Sequence, residues 1–195
     1  MQIAQAQTRY TPDEYLALEE QADFKSEYHD GEIIPMAGGS FNHNEIITNF
    51  STLKSTLRKH NYRLFINDVR VWIPEHQRFT YPDVIVTKGE PSPYQNRTDT
   101  LLNPALIVEV LSRSTQEYDQ GDKFKFYCSL PDFQEYLLIN QYKIEVQQYY
   151  YKSRLGWLSR TYESSSDVNT LTSLELDISV ADLYEGVTFD QEFSG

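Results

Sequence analysis

The chain has 195 residues, 39% of them hydrophobic and 14% aromatic, which excludes a disordered segment and suffices for a core without disulfide staples. Its formal net charge of −12 excludes a uniformly basic nucleic-acid-binding surface. No apolar run approaches the ~20 residues of a membrane span, residues 1–7 carry no secretory pattern, and the lone Cys128 cannot close an intramolecular disulfide, so the expected setting is the cytoplasm.

The charge is unevenly placed. After Arg160 there is no Lys or Arg, and Glu163, Asp167, Glu175, Asp177, Asp182, Glu185, Asp190 and Glu192 leave only −4 for residues 1–160. Over 54–78 the balance is +4, from Lys54, Arg58, Lys59, Arg63, Arg70 and Arg78 against Asp68 and Glu75. A locally basic face and ordinary solvated charges are both compatible with that pattern.

Thr11-Pro12-Asp13-Glu14 reads as a helix start: Thr11 caps, Pro12 suits the first turn, Glu14 closes a capping box, and Tyr10 and Tyr15 stand at the staple positions. The helix is expected to run to about Gln21. Asp30-Gly31, between Glu27-Tyr28-His29 and Glu32-Ile33-Ile34, signals a two-residue hairpin that Gly38-Gly39-Ser40 ends. Over 43–59, Ile46, Ile47, Phe50, Leu53 and Leu57 recur at helical spacing, with Asn42 as N-cap and Glu45 as its capping partner. Residues 62–73 alternate as one long strand with a bulge at Asn67-Asp68. Residues 78–87 and 104–112 read as strands, joined by a polar loop over 88–103. A helix over about 118–128 precedes Pro131, and strands follow at 136–139, 146–151 and 157–162, the last two antiparallel. The tail alternates around Leu176 and Ile178 and ends in a helical turn at 180–184.

This order predicts an α/β fold in the mixed α+β sense: one domain over 1–195, with a core at about 43–140, an N-terminal helix and hairpin at 11–39 and an antiparallel C-terminal extension at 141–190. The connection from 104–112 through the Lys123 helix to 136–139 is long enough for a parallel crossover.

Two carboxylates stand in or beside β-branched runs: Asp83 in Tyr81-Pro82-Asp83-Val84-Ile85-Val86 and Glu109 in Leu106-Ile107-Val108-Glu109-Val110-Leu111-Ser112. A carboxylate among Val and Ile is costly to bury unless it is paired, hydrogen-bonded or bound to a metal. Two of them on neighbouring strands, followed by Lys123 on a helix, suit Mg²⁺ or Mn²⁺, which take one or two carboxylates with water and substrate phosphate. Such an ion lowers the pKa of a bound water and neutralises charge on a phosphodiester, while a lysine stabilises the developing anion. The blander alternatives are a strand-end role for Asp83, a structural ion pair of Glu109 with Lys123 or Arg113, and a surface role for Lys123. Tyr149-Tyr150-Tyr151 and Trp157 are candidates for base stacking, although strand aromatics more often build a core or an interface.

Pro82-Asp83, a gap and Glu109 within Val-Glu-Val-Leu-Ser resemble the PD-(D/E)XK restriction-endonuclease-like superfamily. More narrowly, Tyr28-His29-Asp30-Gly31-Glu32, the His43-Asn44 helix start, Asp119-Gln120-Gly121-Asp122-Lys123-Phe124 and Asp182-Leu183-Tyr184-Glu185-Gly186 resemble the Uma2 (DUF820) family. The resemblance implies a restriction-endonuclease-like core, a central mixed sheet flanked by helices, and catalytic roles for Asp83, Glu109 and Lys123. Asp83 and Glu109 would be the metal ligands, helped by the Val110 carbonyl, and Glu27 and His43 would support the site. The superfamily lysine normally sits two residues after the glutamate, where this chain has Leu111; Lys123 takes the alternative place on the following helix. Lys125 lies ~200° around that helix and cannot share the site.

The implied activity is metal-dependent endonucleolytic hydrolysis of phosphodiester bonds in nucleic acid, DNA first. Separately, edge strands in the C-terminal half are compatible with a homodimer. The displaced lysine, the acidic tail and the charge of −12 favour the competing reading, an inactive nuclease-fold protein acting as a dimeric binding or regulatory module. A smaller phosphorylated substrate would use the same carboxylates.

Overall fold

The structure, a computed structural model, describes residues 9–189. Residues 1–7, read above for a secretory signal, and Asp190 and Glu192 of the acidic tail lie outside that range. Helix α1 (Pro12–Glu19) opens on the expected capping box: Thr11 Oγ1 accepts from the Glu14 amide at 3.2 Å, and Glu14 Oε2 accepts from the Thr11 amide at 2.7 Å. Its inner face, Tyr15 and Leu16, packs with Tyr28 and Phe79 beside the hairpin β1 (Ser26–His29) and β2 (Glu32–Pro35). Asp30 and Gly31 turn that hairpin with φ of 45° and 97°, the left-handed pair that matches strand twist.

Helix α2 (Phe41–Ser51) starts two residues earlier than its apolar spacing suggests. Ser40, not Asn42, is the N-cap, its Oγ accepting from the His43 amide at 3.1 Å. The Asn42 amide instead donates to the Gln141 and Thr188 carbonyls, and Glu45 is exposed and caps nothing. The helix breaks after Ser51 and resumes as α3 (Lys54–Lys59).

The expected strand over 62–73 is two strands in two sheets, β3 (Tyr62–Ile66) and β4 (Arg70–Ile73). The expected strand over 78–87 likewise divides into β5 (Arg78–Thr80) and β6 (Val84–Lys88). Both breaks fall at one corner. Asn67 takes a left-handed φ of 58°, Pro82 has no N–H for a ladder, and the Asn67 amide donates to the Asp83 carbonyl at 3.1 Å. The phase slip read as a bulge is therefore a switch between sheets.

Beyond the short β7 (Thr100–Leu101), β8 (Leu106–Leu111), α4 (116–127) and β9 (Glu135–Asn140) form the expected parallel crossover. Next, β10 (Val146–Lys152) and β11 (Gly156–Tyr162) extend the sheet antiparallel. A strand absent from the sequence reading, β12 (Val168–Leu171), pairs with β13 (Leu176–Ser179) ahead of α5 (Val180–Leu183). The six-stranded sheet runs β11-β10-β9-β8-β6-β3 and the five-stranded sheet β2-β1-β5-β4-β7. Among the described residues no helix is long and apolar enough to cross a membrane.

Period-two alternation assigns each strand residue to one of two cores. Val84, Val86, Leu106, Val108, Val110, Leu137 and Ile139 pack with α2, α3 and α5, while Ile85, Ile107, Leu111, Tyr136 and Leu138 pack with α4 and β4. Full burial of each such side chain contributes about 1.5–3 kcal/mol relative to exposure. The same alternation puts Glu109 on the α4 side, among the second set. Of the aromatic strand residues, Tyr149 and Trp157 serve this core by packing against Phe124, Tyr150 is buried on the opposite face, and Tyr151 is exposed. The half-buried Cys128 thiol is pushed up to about 11 by burial.

Candidate active site

Asp83 ends the corner that feeds β6, Glu109 projects from β8, and Lys123 comes from α4; all three line one cavity of about 600 Å³. Antiparallel pairing of Val84 with Val108 sets the first two side by side, and Asp83 Oδ2 accepts from the Val110 amide at 2.7 Å. Lys123 Nζ lies 2.9 Å from Glu109 Oε1, 3.3 Å from Asp119 Oδ1 and 3.7 Å from Glu27 Oε1. The middle of α4, Asp119–Lys123, is a π turn, a local widening common at functional sites. Lys125 is exposed and pairs with Asp122 at 2.8 Å.

His43, in the first turn of α2, places Nε2 3.2 Å from Asp83 Oδ2. Gly39 leaves room for that ring: a Cβ there would stand 2.9 Å from His43 Nδ1. Glu27 is buried on β1, its Oε1 accepting from the Tyr81 amide at 3.1 Å and its Oε2 from His29 Nε2 at 2.8 Å. The Tyr118 hydroxyl closes on His29 at 3.4 Å. Tyr127 donates to Glu109 Oε1 at 3.1 Å and meets Thr80 Oγ1 at 3.0 Å.

The charge balance around the cavity is lopsided: four carboxylates and one ammonium line it, and three of the four lie within 4 Å of that ammonium. Glu109 is only 4% exposed, and burial, with Asp119 and Asp83 nearby, holds its carboxyl well above the usual range despite Lys123. Burial alone would lower the Lys123 amine, but Glu109, Tyr127, Glu27 and Asp119 hold it well above its usual value, so it stays an ammonium. For Glu27 burial acts upward and is outweighed by Lys123, His29 and the Tyr81 amide, which keep it below the usual carboxylate range. The Tyr118 hydroxyl is pushed up to about 12, chiefly by burial and by Glu27.

Comparison with known proteins places this arrangement. The family model Uma2, "Putative restriction endonuclease", matches residues 12–181. The chain belongs to the Uma2 family. The protein sll1609 of Synechocystis, uncharacterized, is 44% identical over 149 residues, 76% of this chain and 84% of its own length. A second uncharacterized Synechocystis protein, slr1290, is 37% identical over 182 residues, covering 93% of this chain and 94% of that protein. In the solved structures, a "putative nuclease belonging to DUF820" from Anabaena variabilis superposes with a TM-score of 0.74 at 21% identity, over 92% of this chain and 99% of that one. That likeness concerns the fold, a mixed α+β arrangement of mixed sheets flanked by helices.

This Uma2 chain brings together all five residues singled out in the sequence, Asp83, Glu109, Lys123, Glu27 and His43. Sequence reasoning gave no role to Asp119, His29, Tyr118 or Tyr127. Asp119 carried a usable signal, since it precedes Lys123 by four residues and so shares its helix face. Tyr127 follows Lys123 by the same interval. His29 was legible only as the residue flanking the Asp30-Gly31 turn.

Among the described residues no three His, Cys, Asp or Glu side chains stand close enough together to hold a cation unaided. The donor set fits an ion that is content with two carboxylates plus water and phosphate, as Mg²⁺ and Mn²⁺ are. Asp83 uses Oδ2 for Val110 and His43, and Glu109 uses Oε1 for Tyr127 and Lys123; among the described residues this leaves Asp83 Oδ1 and Glu109 Oε2 without a hydrogen bond. Two hard oxygens from adjacent strands, on one cavity, suit such an ion.

Proposed function

We propose that this Uma2 chain is a divalent-cation-dependent nuclease of the cytoplasm that hydrolyses phosphodiester bonds in nucleic acid, DNA in the first place. One observation carries the reading: Asp83, Glu109 and Lys123, from two strands and a helix, converge on one cavity with the ammonium 2.9 Å from Glu109. In this reading Asp83 and Glu109 would hold Mg²⁺ or Mn²⁺, which would supply a water of lowered pKa and neutralise charge on the phosphodiester. The Val110 amide and His43 fix Asp83 from one side, so its other oxygen is the one offered to the ion. Tyr127 orients Glu109, and Lys123 keeps a full positive charge where negative charge builds on the scissile phosphate.

Incubation with plasmid and with single-stranded DNA, with and without Mn²⁺, tests the reading. The expected result is Mn²⁺-dependent cleavage that Glu109→Gln abolishes; cleavage indifferent to that substitution removes the assignment. A binding or regulatory module is the second reading, favoured by the same 2.9 Å contact, which taken alone is a complete buried ion pair. It requires that no Mn²⁺ bind, and an isotherm abolished by Asp83→Asn rejects it. The homodimer belongs to this proposal too: β11 and β3 end the six-stranded sheet, and sedimentation equilibrium decides whether copies pair there.

A further inference from the structure

We propose that Asp119 is the positioning residue that lets a helix-borne lysine serve this site, taking over the Lys123 ammonium when Glu109 turns to a divalent cation; this rests on the nuclease reading above. A lysine on the strand two residues past Glu109 would be held by the sheet ladder, but that position is Leu111, packed in the second core. Lys123 reaches in from α4 on a flexible four-carbon stem, so the neighbouring acceptors alone fix its amine.

Those acceptors differ in spare capacity. Glu109 Oε1 already serves Tyr127 at 3.1 Å and Lys123 at 2.9 Å. Both Glu27 oxygens are engaged, by the Tyr81 amide at 3.1 Å and by His29 at 2.8 Å, and the nearer one stands 3.7 Å from the ammonium. Asp119 is different. It is 3% exposed, it lines the cavity, and its Oδ1 is buried with no hydrogen bond although Lys123 Nζ is 3.3 Å away. That contact, like the one to Glu109, is ionic without hydrogen-bond geometry, but Asp119 Oδ1 has no other donor, so an acceptor site stands open beside a donor that has three protons to place.

A buried charge that loses one partner is strongly penalised unless another takes over. A dication on Glu109 would repel the ammonium and draw away the electron density that now holds it. Asp119 offers the replacement from the same helix, one turn back, and the Tyr136 hydroxyl donating to the Asp119 carbonyl at 3.1 Å anchors that turn. The π turn spans these two residues, so the backbone that carries the lysine also carries its acceptor.

The test is Asp119→Asn, which keeps the shape and removes the charge, beside Lys123→Met and the double variant. With Mn²⁺ and single-stranded DNA, Asp119→Asn is expected to lower kcat by ten- to a hundredfold with KM within about threefold. The double variant is expected to be no slower than Lys123→Met alone, since Asp119 acts through the lysine. Two measurements need no activity. Mn²⁺ affinity, by calorimetry, is expected to change less than threefold, and modification of Lys123 by an amine-reactive reagent, read by mass spectrometry, to speed up at least fivefold.

Asp119→Glu is expected to restore part of the Lys123 protection, which a purely structural defect would not. Losses that multiply in the double variant, Mn²⁺ affinity falling as far as in Asp83→Asn, or unchanged Lys123 labelling each overturn the proposal. Absence of Mn²⁺-dependent cleavage in the unmodified protein overturns the nuclease reading instead, and the labelling still decides whether Asp119 holds the lysine.

Discussion

Glu109 and Glu135 stand toward opposite ends of one parallel strand pair, and both are buried, yet the chain surrounds them in opposite ways. Glu135, fully buried at the start of β9, receives four neutral donors. The Thr172 amide (2.9 Å) and the Gln148 side chain reach Oε1, and the Ser173 amide (2.8 Å) and hydroxyl (2.5 Å) reach Oε2. It binds the turn between β12 and β13 to the main sheet. Glu109 has one tyrosine, one lysine and two neighbouring carboxylates that repel it, and it borders a cavity. A buried carboxylate saturated by fixed dipoles is a fastener. One crowded by like charge beside open space lacks that saturation, and its surroundings favour the arrival of another cation, as the nuclease reading requires.

Removing each side chain separates the two cases. Glu135→Ala leaves several buried donors unpaired and is expected to destabilise the protein by about 3–5 kcal/mol, lowering the melting temperature by ~10 °C. Denaturant titration checks it, and a cost of less than about 1 kcal/mol would erase the contrast. Glu109→Gln should behave the other way round. Stability is expected to stay within about 1 kcal/mol of the parent, with Mn²⁺-dependent cleavage falling at least ~100-fold.

The pH dependence sharpens the contrast. The Glu109 carboxyl titrates above its ordinary value of 4.5 in the folded protein, so its ionisation costs stability progressively as pH rises from about 4.5 through its raised pKa. Lys123, raised above 10.5, loses its contribution only beyond that value, and Glu27, held low, loses its contribution only toward acid. Without metal, Glu109→Gln is therefore expected to gain stability relative to the parent as the pH rises above about 4.5. Parallel curves from thermal melts across that range would refute the crowding argument. The smallest effect concerns the far wall of the cavity: Gly39→Ala puts a Cβ 2.9 Å from His43 Nδ1 and is expected to slow cleavage about three- to tenfold with the fold intact.

Local signals carried much of this into the sequence. The Thr11 capping box, the Asp30-Gly31 turn and the β8–α4–β9 crossover were all readable because short-range chemistry decides them. The corner at Asn67 and Pro82 was not, since apolar alternation continues through it: Leu64 and Val71 are both buried, but against different partners. Asp83, Glu109 and Lys123 could be picked out because charge inside β-branched runs is conspicuous. Asp119 and Tyr127 sit among polar and aromatic neighbours, where a single side chain's orientation cannot be read until the helix is wound. The Glu135 fastener depends on residues near position 172, far along the chain, and left no local mark at all.

The widened turn at Asp119–Lys123 makes spacing as well as residue type a condition for where the Lys123 ammonium sits. Removing Gly121, whose missing Cβ would meet nothing within 4 Å, would take the extra residue out of the widened turn, return it towards α spacing and leave Lys123 three residues from Asp119. Such a deletant would keep every side chain that lines the cavity and still draw the ammonium back along the helix axis by one residue's rise, ~1.5 Å, away from the oxygens it now faces.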